Sequence, residues 1–182
     1  MIAIMSESTI DCLRPKAVAS KTFERGRHLF HRNDPVRAMF LVTAGCVHLV
    51  RYQADGSAAV LQRSGAASVL AEASVFSERY HCDAVATTTT RALLVPIAEI
   101  RHLLDHDPAF AREWTIHLSR ELQSARKRAE IAALRTVSDR LNAWITWNDG
   151  RVPAKGHWRG LAEEIGVSPE ALYREMSKRR RL

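Results

Sequence analysis

The apolar residues change period at Pro96, and that change sets what the chain can fold into. From about residue 22 up to that point, short apolar runs alternate with turn residues, the texture of successive β-strands. Phe40-Leu41-Val42 runs into Thr43-Ala44-Gly45, and Val47-His48-Leu49-Val50 leads to Asp55-Gly56. Asp-Gly between two strand-like runs signals a hairpin, because both turn positions favour positive φ. A third run follows at residues 58–62, and residues 84–96 supply two more strands. The threonines at 87–90 are β-branched and fit an exposed strand or a turn between strands. Many short strands in a row predict a barrel or jelly roll. Residues 1–19 show only a short amphipathic segment.

After Pro96 the spacing is helical. Ile97, Ile100, Leu103 and Leu104 mark a short helix. Asp107-Pro108 is a good start for the next, with Asp as N-cap and Pro in the first turn. Residues 108–134 contain no Pro or Gly, and Phe110, Trp114, Leu118, Leu122, Ala125 and Ala129 recur at spacings of three and four. At 1.5 Å per residue this helix is roughly 40 Å long, more than a small barrel covers. Part of that stripe is therefore expected to meet a second chain, with Phe110, Trp114, Leu118, Leu122, Ala125 and Ala129 as the candidate dimer interface. Residues 136–139 break and restart the helix, and Asn148-Asp149-Gly150 stops it again.

The last module reads WRGLAEEIGVSPEALYREMSKRRR at residues 158–181. Leu161, Ala162 and Ile165 share one face of a short helix. Gly166 suits a tight turn of positive φ, and Val167 plugs between the helices. Ser168 caps a second helix with Pro169 in its first position, and Leu172 and Met176 continue the buried face. Helix, short Gly turn, helix is the helix-turn-helix arrangement. Ser168, Glu170, Tyr173, Arg174, Ser177, Lys178 and Arg179 form the candidate DNA-facing set. A carboxylate accepts from cytosine N4, and Arg binds guanine O6 and N7. Lys178, Arg179, Arg180 and Arg181 suit phosphates.

Charge agrees with this placement. The 182 residues carry 27 Lys and Arg against 20 Asp and Glu, net +7. The excess is +1 over residues 1–107, +2 over 108–134 and +4 over 135–182. A basic end on a near-neutral body suggests a polyanion partner. The three cysteines, Cys12, Cys46 and Cys82, are too few and scattered for a disulfide framework or a four-thiolate cluster within one chain. No apolar run approaches the ~18 residues of a membrane span, and MIAIMSESTI does not read as a secretory signal. A cytoplasmic protein is the resulting expectation.

Taken in order, GRHLFHRNDPVRAMFLVTAGCVHLVRYQADG, LAEASVF, the long helix and GLAEEIGVSPEALYRE resemble the Crp/Fnr family of bacterial transcription regulators over residues 20–181. The resemblance implies an α+β fold. It consists of an antiparallel cyclic-nucleotide-binding-type β-roll at residues 1–107, a dimerisation helix at 108–134 and a helix-turn-helix at 135–182. It also implies a non-enzymatic homodimer that reads a near-palindromic DNA site under an unknown small-molecule effector. Glu170 and Arg174 match the family's base-reading residues. The Arg that often precedes that Glu is Pro169 here. The family's wing, a β-hairpin after the recognition helix, would need residues beyond Leu182, so the wing is expected to be short or absent here, either in nature or because the chain is shortened.

The effector pocket departs from the family pattern. Members that bind cyclic AMP use a Gly-Glu segment and then an Arg-Ser pair. The matching residues are Ala71-Glu72 and Cys82-Asp83, with Arg79 near in sequence. Losing the guanidinium removes a charge-assisted bond of roughly 1.5–3 kcal/mol, and a carboxylate repels the phosphate. No usual cyclic AMP response is expected. Cys82 and His81 raise the option of haem or redox chemistry, but no spacing specifies a cofactor, and none is expected. His28 and His31, three apart, are expected on opposite strand faces, and His102 and His106 lie near a helix end, so no metal is expected at either. Two other readings remain. One is a sensor or interaction module with an incomplete DNA-binding end. The other is a cupin-like metal enzyme, for which the His-x-His spacing is lacking.

Overall fold

The computed structural model describes residues 7–54 and 58–180. Eight short strands form where the alternating segments predict them: β1 (Ala19–Phe23), β2 (His28–Phe30), β3 (Ala38–Ala44), β4 (Val47–Tyr52), β5 (Ala58–Ser64), β6 (Ser68–Leu70), β7 (Asp83–Ala86) and β8 (Thr90–Pro96). They make two four-stranded sheets, in the orders β1-β8-β3-β6 and β2-β7-β4-β5. The strand pairings are antiparallel, as the β-roll expectation requires. The Asp55-Gly56 turn and Arg181 lie outside the described residues. The strands flanking that turn do pair, from Val47 opposite Ser64 to Tyr52 opposite Ala58.

Burial explains the strand composition. Met39, Phe40, Leu41 and Val42 of β3 are all buried, so this strand reads as an unbroken apolar run instead of alternating. Each such side chain contributes about 1.5–3 kcal/mol when fully buried. The threonines at 87–90 form the turn between β7 and β8 and hold the β3–β4 turn. Cys46 N donates to Thr88 Oγ1 at 3.0 Å, and the Thr87 and Thr90 hydroxyls donate to the Cys46 carbonyl at 3.2 and 3.1 Å. Gly45 sits there at φ +87°, where a Cβ would lie 2.5 Å from the Thr89 carbonyl oxygen. Only glycine satisfies both the torsion and the space.

Three helices complete the first unit's core: α1 (Glu7–Leu13), α2 (Ile97–His106) and the first turns of α3 (Pro108–Ala133). The Asp107 carboxylate caps α3, accepting from Ala109 N and Phe110 N at 3.0 Å each. Phe110 and Trp114 are only 3% and 2% exposed, inside the same apolar cluster as β3, and Leu118 packs against it. This corrects the expectation that the stripe from Phe110 onward is an interface. Its first turns fill the core of their own unit, and the exposed part is Leu122, Ala125 and Ala129, with Leu122 52% exposed.

The chain divides into two compact units, Met1–Glu121 and Leu122–Leu182, at a point inside α3. The second unit contains α4 (Val137–Trp147), α5 (Trp158–Glu164) and α6 (Pro169–Arg179). Thr136 caps α4 by accepting from Asp139 N at 3.1 Å, and Asp149 and Gly150 close the following turn at positive φ. Ile131, Leu141, Trp144, Trp158, Leu161, Ala162, Ile165 and Leu172 form its core. Among the described residues, no helix is long and apolar enough to cross a membrane.

Candidate nucleic-acid interface and sensor pocket

In the second unit the local sequence builds an exposed polar face on α6. Gly166 takes φ +66°, turning the chain between α5 and α6, and Val167 N donates to the Ala162 carbonyl at 2.9 Å. The Ser168 hydroxyl oxygen caps α6 by accepting from Ala171 N at 3.2 Å. Leu172 is buried and Met176 packs against the same core, as the helical spacing predicts. On the outer side, Pro169, Glu170, Tyr173, Arg174 and Ser177 line one shallow open depression. The Glu170 carboxylate is held below its usual range by its own backbone amide, the Ser168 hydroxyl, and the charges of Arg159 and Arg174. It is therefore an ionised acceptor at neutral pH, beside the exposed guanidinium of Arg174.

The structure separates the other basic residues by role. Lys178 is exposed. Arg179 is not the free phosphate ligand expected from the sequence. Its Nε donates to Glu175 Oε1 at 2.9 Å and its Nη2 donates to Ser138 at 3.2 Å (carbonyl) and 3.1 Å (hydroxyl). It fastens α6 to the start of α4. Arg180 lies over the Trp158 ring at 5.3 Å, and Tyr173 packs edge-on to the same ring at 5.2 Å. Ser177 donates its hydroxyl to the Tyr173 carbonyl at 2.8 Å.

Arg140 is the residue that sequence reasoning missed. Its guanidinium donates to the carbonyls of Leu134 and Ala132 at 2.8 Å each, and to those of Gly166 at 2.7 Å and Ile165 at 3.3 Å. These oxygens belong to the end of α3 and the end of α5, where helices leave acceptors unpaired. One cation thus orients the turn that presents α6. No local pattern betrays it, because its partners are backbone oxygens up to 26 residues away.

In the first unit the candidate pocket residues do not all converge. Ala71 adopts φ +74° and starts a 3-10 turn at Glu72–Ser74. Glu72 is 5% exposed, and its Oε2 meets no hydrogen-bond partner among the described residues. Burial pushes its carboxyl up to about 7, assisted by the charge of Glu121 and opposed by hydrogen bonds from its own backbone amide and Gln62. Cys82 is 1% exposed, and its thiol is pushed up to about 11 by burial and by the charges of Glu72 and Asp83. It stays protonated at neutral pH and is a poor nucleophile. His81 is exposed, and its Nδ1 lies 3.3 Å from the Ser74 hydroxyl.

Three expectations are corrected here. Asp83 does not accompany Cys82 inward. Side chains alternate along β7, so Cys82 and Ala84 enter the core while Asp83 takes the other face. There its Oδ1 lies 3.2 Å from His31 Nδ1 and accepts from Arg32 N at 3.3 Å. Arg79 is exposed and donates to the Asn33 carbonyl at 2.7 Å, so its guanidinium is committed to a turn. The His28–His31 expectation fails too. The strand pairing shifts register between His28 and Phe30, and the two rings stack with centroids 4.2 Å apart. β2 ends at Phe30, so His31 lies in the following turn, where the strand's period of two no longer sets its direction.

A β-roll with a buried polar turn is followed along the chain by a long helix and a helix-turn-helix. Residues 20–107 match the cyclic nucleotide-binding domain family. Among solved structures, the chain is similar to the c-di-GMP-responsive global regulator CLP of Xanthomonas campestris, at 17% identity over 96% of this chain and 92% of that one, with a TM-score of 0.72. It is similar to FixK2 of Bradyrhizobium japonicum at 17% identity over 88% and 83%, TM-score 0.73. It is also similar to the catabolite activator protein of Thermus thermophilus at 21% identity over 95% and 83%, TM-score 0.55. No curated protein matches the chain. Residues 20–107 are a cyclic nucleotide-binding-type domain, and the fold in which they sit is that of the Crp/Fnr transcription regulators.

Proposed function

We propose that the protein is a homodimeric, DNA-binding transcription regulator acting in the cytoplasm, and that its sensor does not use cyclic AMP in the usual way. The observation that carries the DNA reading is the exposed face of α6, where ionised Glu170, Arg174 and Ser177 line one depression with Lys178 beside them. Glu170 and Arg174 read base edges, and Lys178 contacts phosphate. The exposed Leu122, Ala125 and Ala129 stripe of α3 supplies apolar surface for a second copy. Paired α6 helices would then enter successive major grooves about 34 Å apart.

The sensor reading rests on charge. The position of the family's phosphate-binding Arg holds a protonated thiol, Cys82, facing buried Glu72. No guanidinium stands there to neutralise a phosphate, and Asp83, the carboxylate expected to repel one, takes the other face. Cyclic AMP is expected to show no micromolar affinity by calorimetry. Selection of oligonucleotides from a random pool, with and without cell extract, tests the whole reading. A near-palindromic preferred site with a steep negative salt dependence supports it. A monomer without preference for any duplex overturns it.

A further inference from the structure

We infer that His28, His31 and Asp83 form a binding site for a divalent transition-metal ion of the zinc class on the outer face of the β-roll. The site uses none of the residues proposed above to bind DNA. One ligand atom from each residue lies within 4.8 Å of the other two. Three separate backbone segments deliver them: β2, the turn that follows it, and the first residue of β7.

The backbone is held where the ligands are needed. His28 pairs with Val85 across β2 and β7. The His31 amide donates to Asp34 Oδ2 at 2.9 Å, and Asp34 N returns a bond to the His31 carbonyl at 3.1 Å, which fixes the turn. The Asp83 carboxylate is fixed by Arg32 N. An ordinary His–Asp pair needs only His31 and Asp83. It does not need a second imidazole stacked on the first. Two imidazoles and a carboxylate are the donor set of zinc and its first-row neighbours, with positions left for water, and are a poor set for magnesium or calcium. His31 has a 59% exposed side chain, so its ring is free to turn toward a shared ion. A bound ion would clasp the end of β2 to β7, on the face opposite Cys82 and Ala84.

The test uses the full chain, titrated with Zn(II) by calorimetry and with Co(II) by visible absorption. One equivalent per chain is expected, with a tetrahedral or five-coordinate Co(II) spectrum that Zn(II) abolishes. His31→Ala and Asp83→Asn should each weaken binding at least tenfold. Both are tolerable to the fold, since His31 is exposed and an Asn oxygen still accepts from Arg32 N; unchanged circular dichroism without metal verifies this. The double variant His102→Ala/His106→Ala removes the chain's other stacked histidine pair and should leave binding unchanged. No Zn(II) binding in the unaltered chain, binding that survives both His31→Ala and Asp83→Asn, or binding lost with His102 and His106 would each overturn the proposal.

Discussion

The two units keep their chemistry on opposite sides of their surfaces. The second unit displays it: Glu170, Arg174, Ser177 and Lys178 stand in solvent, on a helix anchored from behind by Leu172, Arg179 and the Arg140 cation. The first unit hides it. Glu72, Ser74 and Cys82 are buried, and desolvation keeps the thiol neutral and leaves the carboxyl only partly ionised near pH 7. A displayed site can be altered with little effect on folding, because its groups are already hydrated. A hidden one cannot, because every charge inside carries a desolvation cost.

That contrast is open to direct attack. The largest effect is expected behind the reading face. Arg140→Ala strips the cation from four carbonyl oxygens and should destabilise the second unit by about 3–4 kcal/mol. Trp144, Trp147 and Trp158 report that unit by fluorescence, with Trp114 reporting the first. A loss below about 1 kcal/mol would show that the anchoring is dispensable.

Next comes the buried carboxyl. Glu72 ionises near 4.5 when unfolded and at about 7 when folded. The folded state therefore holds the extra proton between those values. The associated stability is fully present below about pH 4.5 and lost as pH rises to about 7, roughly 3 kcal/mol in all. Glu72→Gln should match the unaltered protein near pH 4.5 and exceed it in melting temperature at pH 8. Parallel pH profiles for the two would mean the carboxyl is solvated.

On the displayed side, Arg174→Ala should cost about 1–3 kcal/mol of specific DNA affinity, roughly 10- to 100-fold, and relax the preference at one base pair. Lys178→Ala should weaken all duplexes alike and flatten the salt slope by about one unit. Melting temperatures should stay put in both. Gel-shift titration over a salt series separates the two behaviours.

The smallest effect is a gain. Ala71 holds a left-handed torsion that costs an L-residue about 1–2 kcal/mol. Ala71→Gly should raise stability by up to about 1 kcal/mol in denaturant titration, once the glycine's own unfolded-state entropy is counted. A loss instead would mean that the Ala71 methyl packing outweighs the torsion.

The second unit was more legible than the first, and the reason is geometric. Ser168, Gly166, Pro169 and the Leu172–Met176 spacing act within a few residues of one another, so α6 and its outer face follow from local rules. In the first unit the same rules mislead at single positions. His28 and His31 obey the period of two only if β2 runs through both, and it ends at Phe30. Asp83 follows Cys82 in sequence yet takes the other face. Phe110 and Trp114 belong to the helical stripe that continues to Leu122, but the first unit's core takes them up.

The sequence by itself determined the order of elements, the boundary at Pro96, the caps, the Gly turns and the residues that α6 offers to a partner. All of these depend on torsions and periodicities within a few residues. The tertiary structure alone decided which side chains meet: Arg140 with the carbonyls of two helix ends, Arg179 with Ser138, Asp83 with His31, and Glu72 with Cys82. Those meetings depend on strand register and on the packing of residues distant in the chain, where a shift of one position carries a side chain to the opposite face.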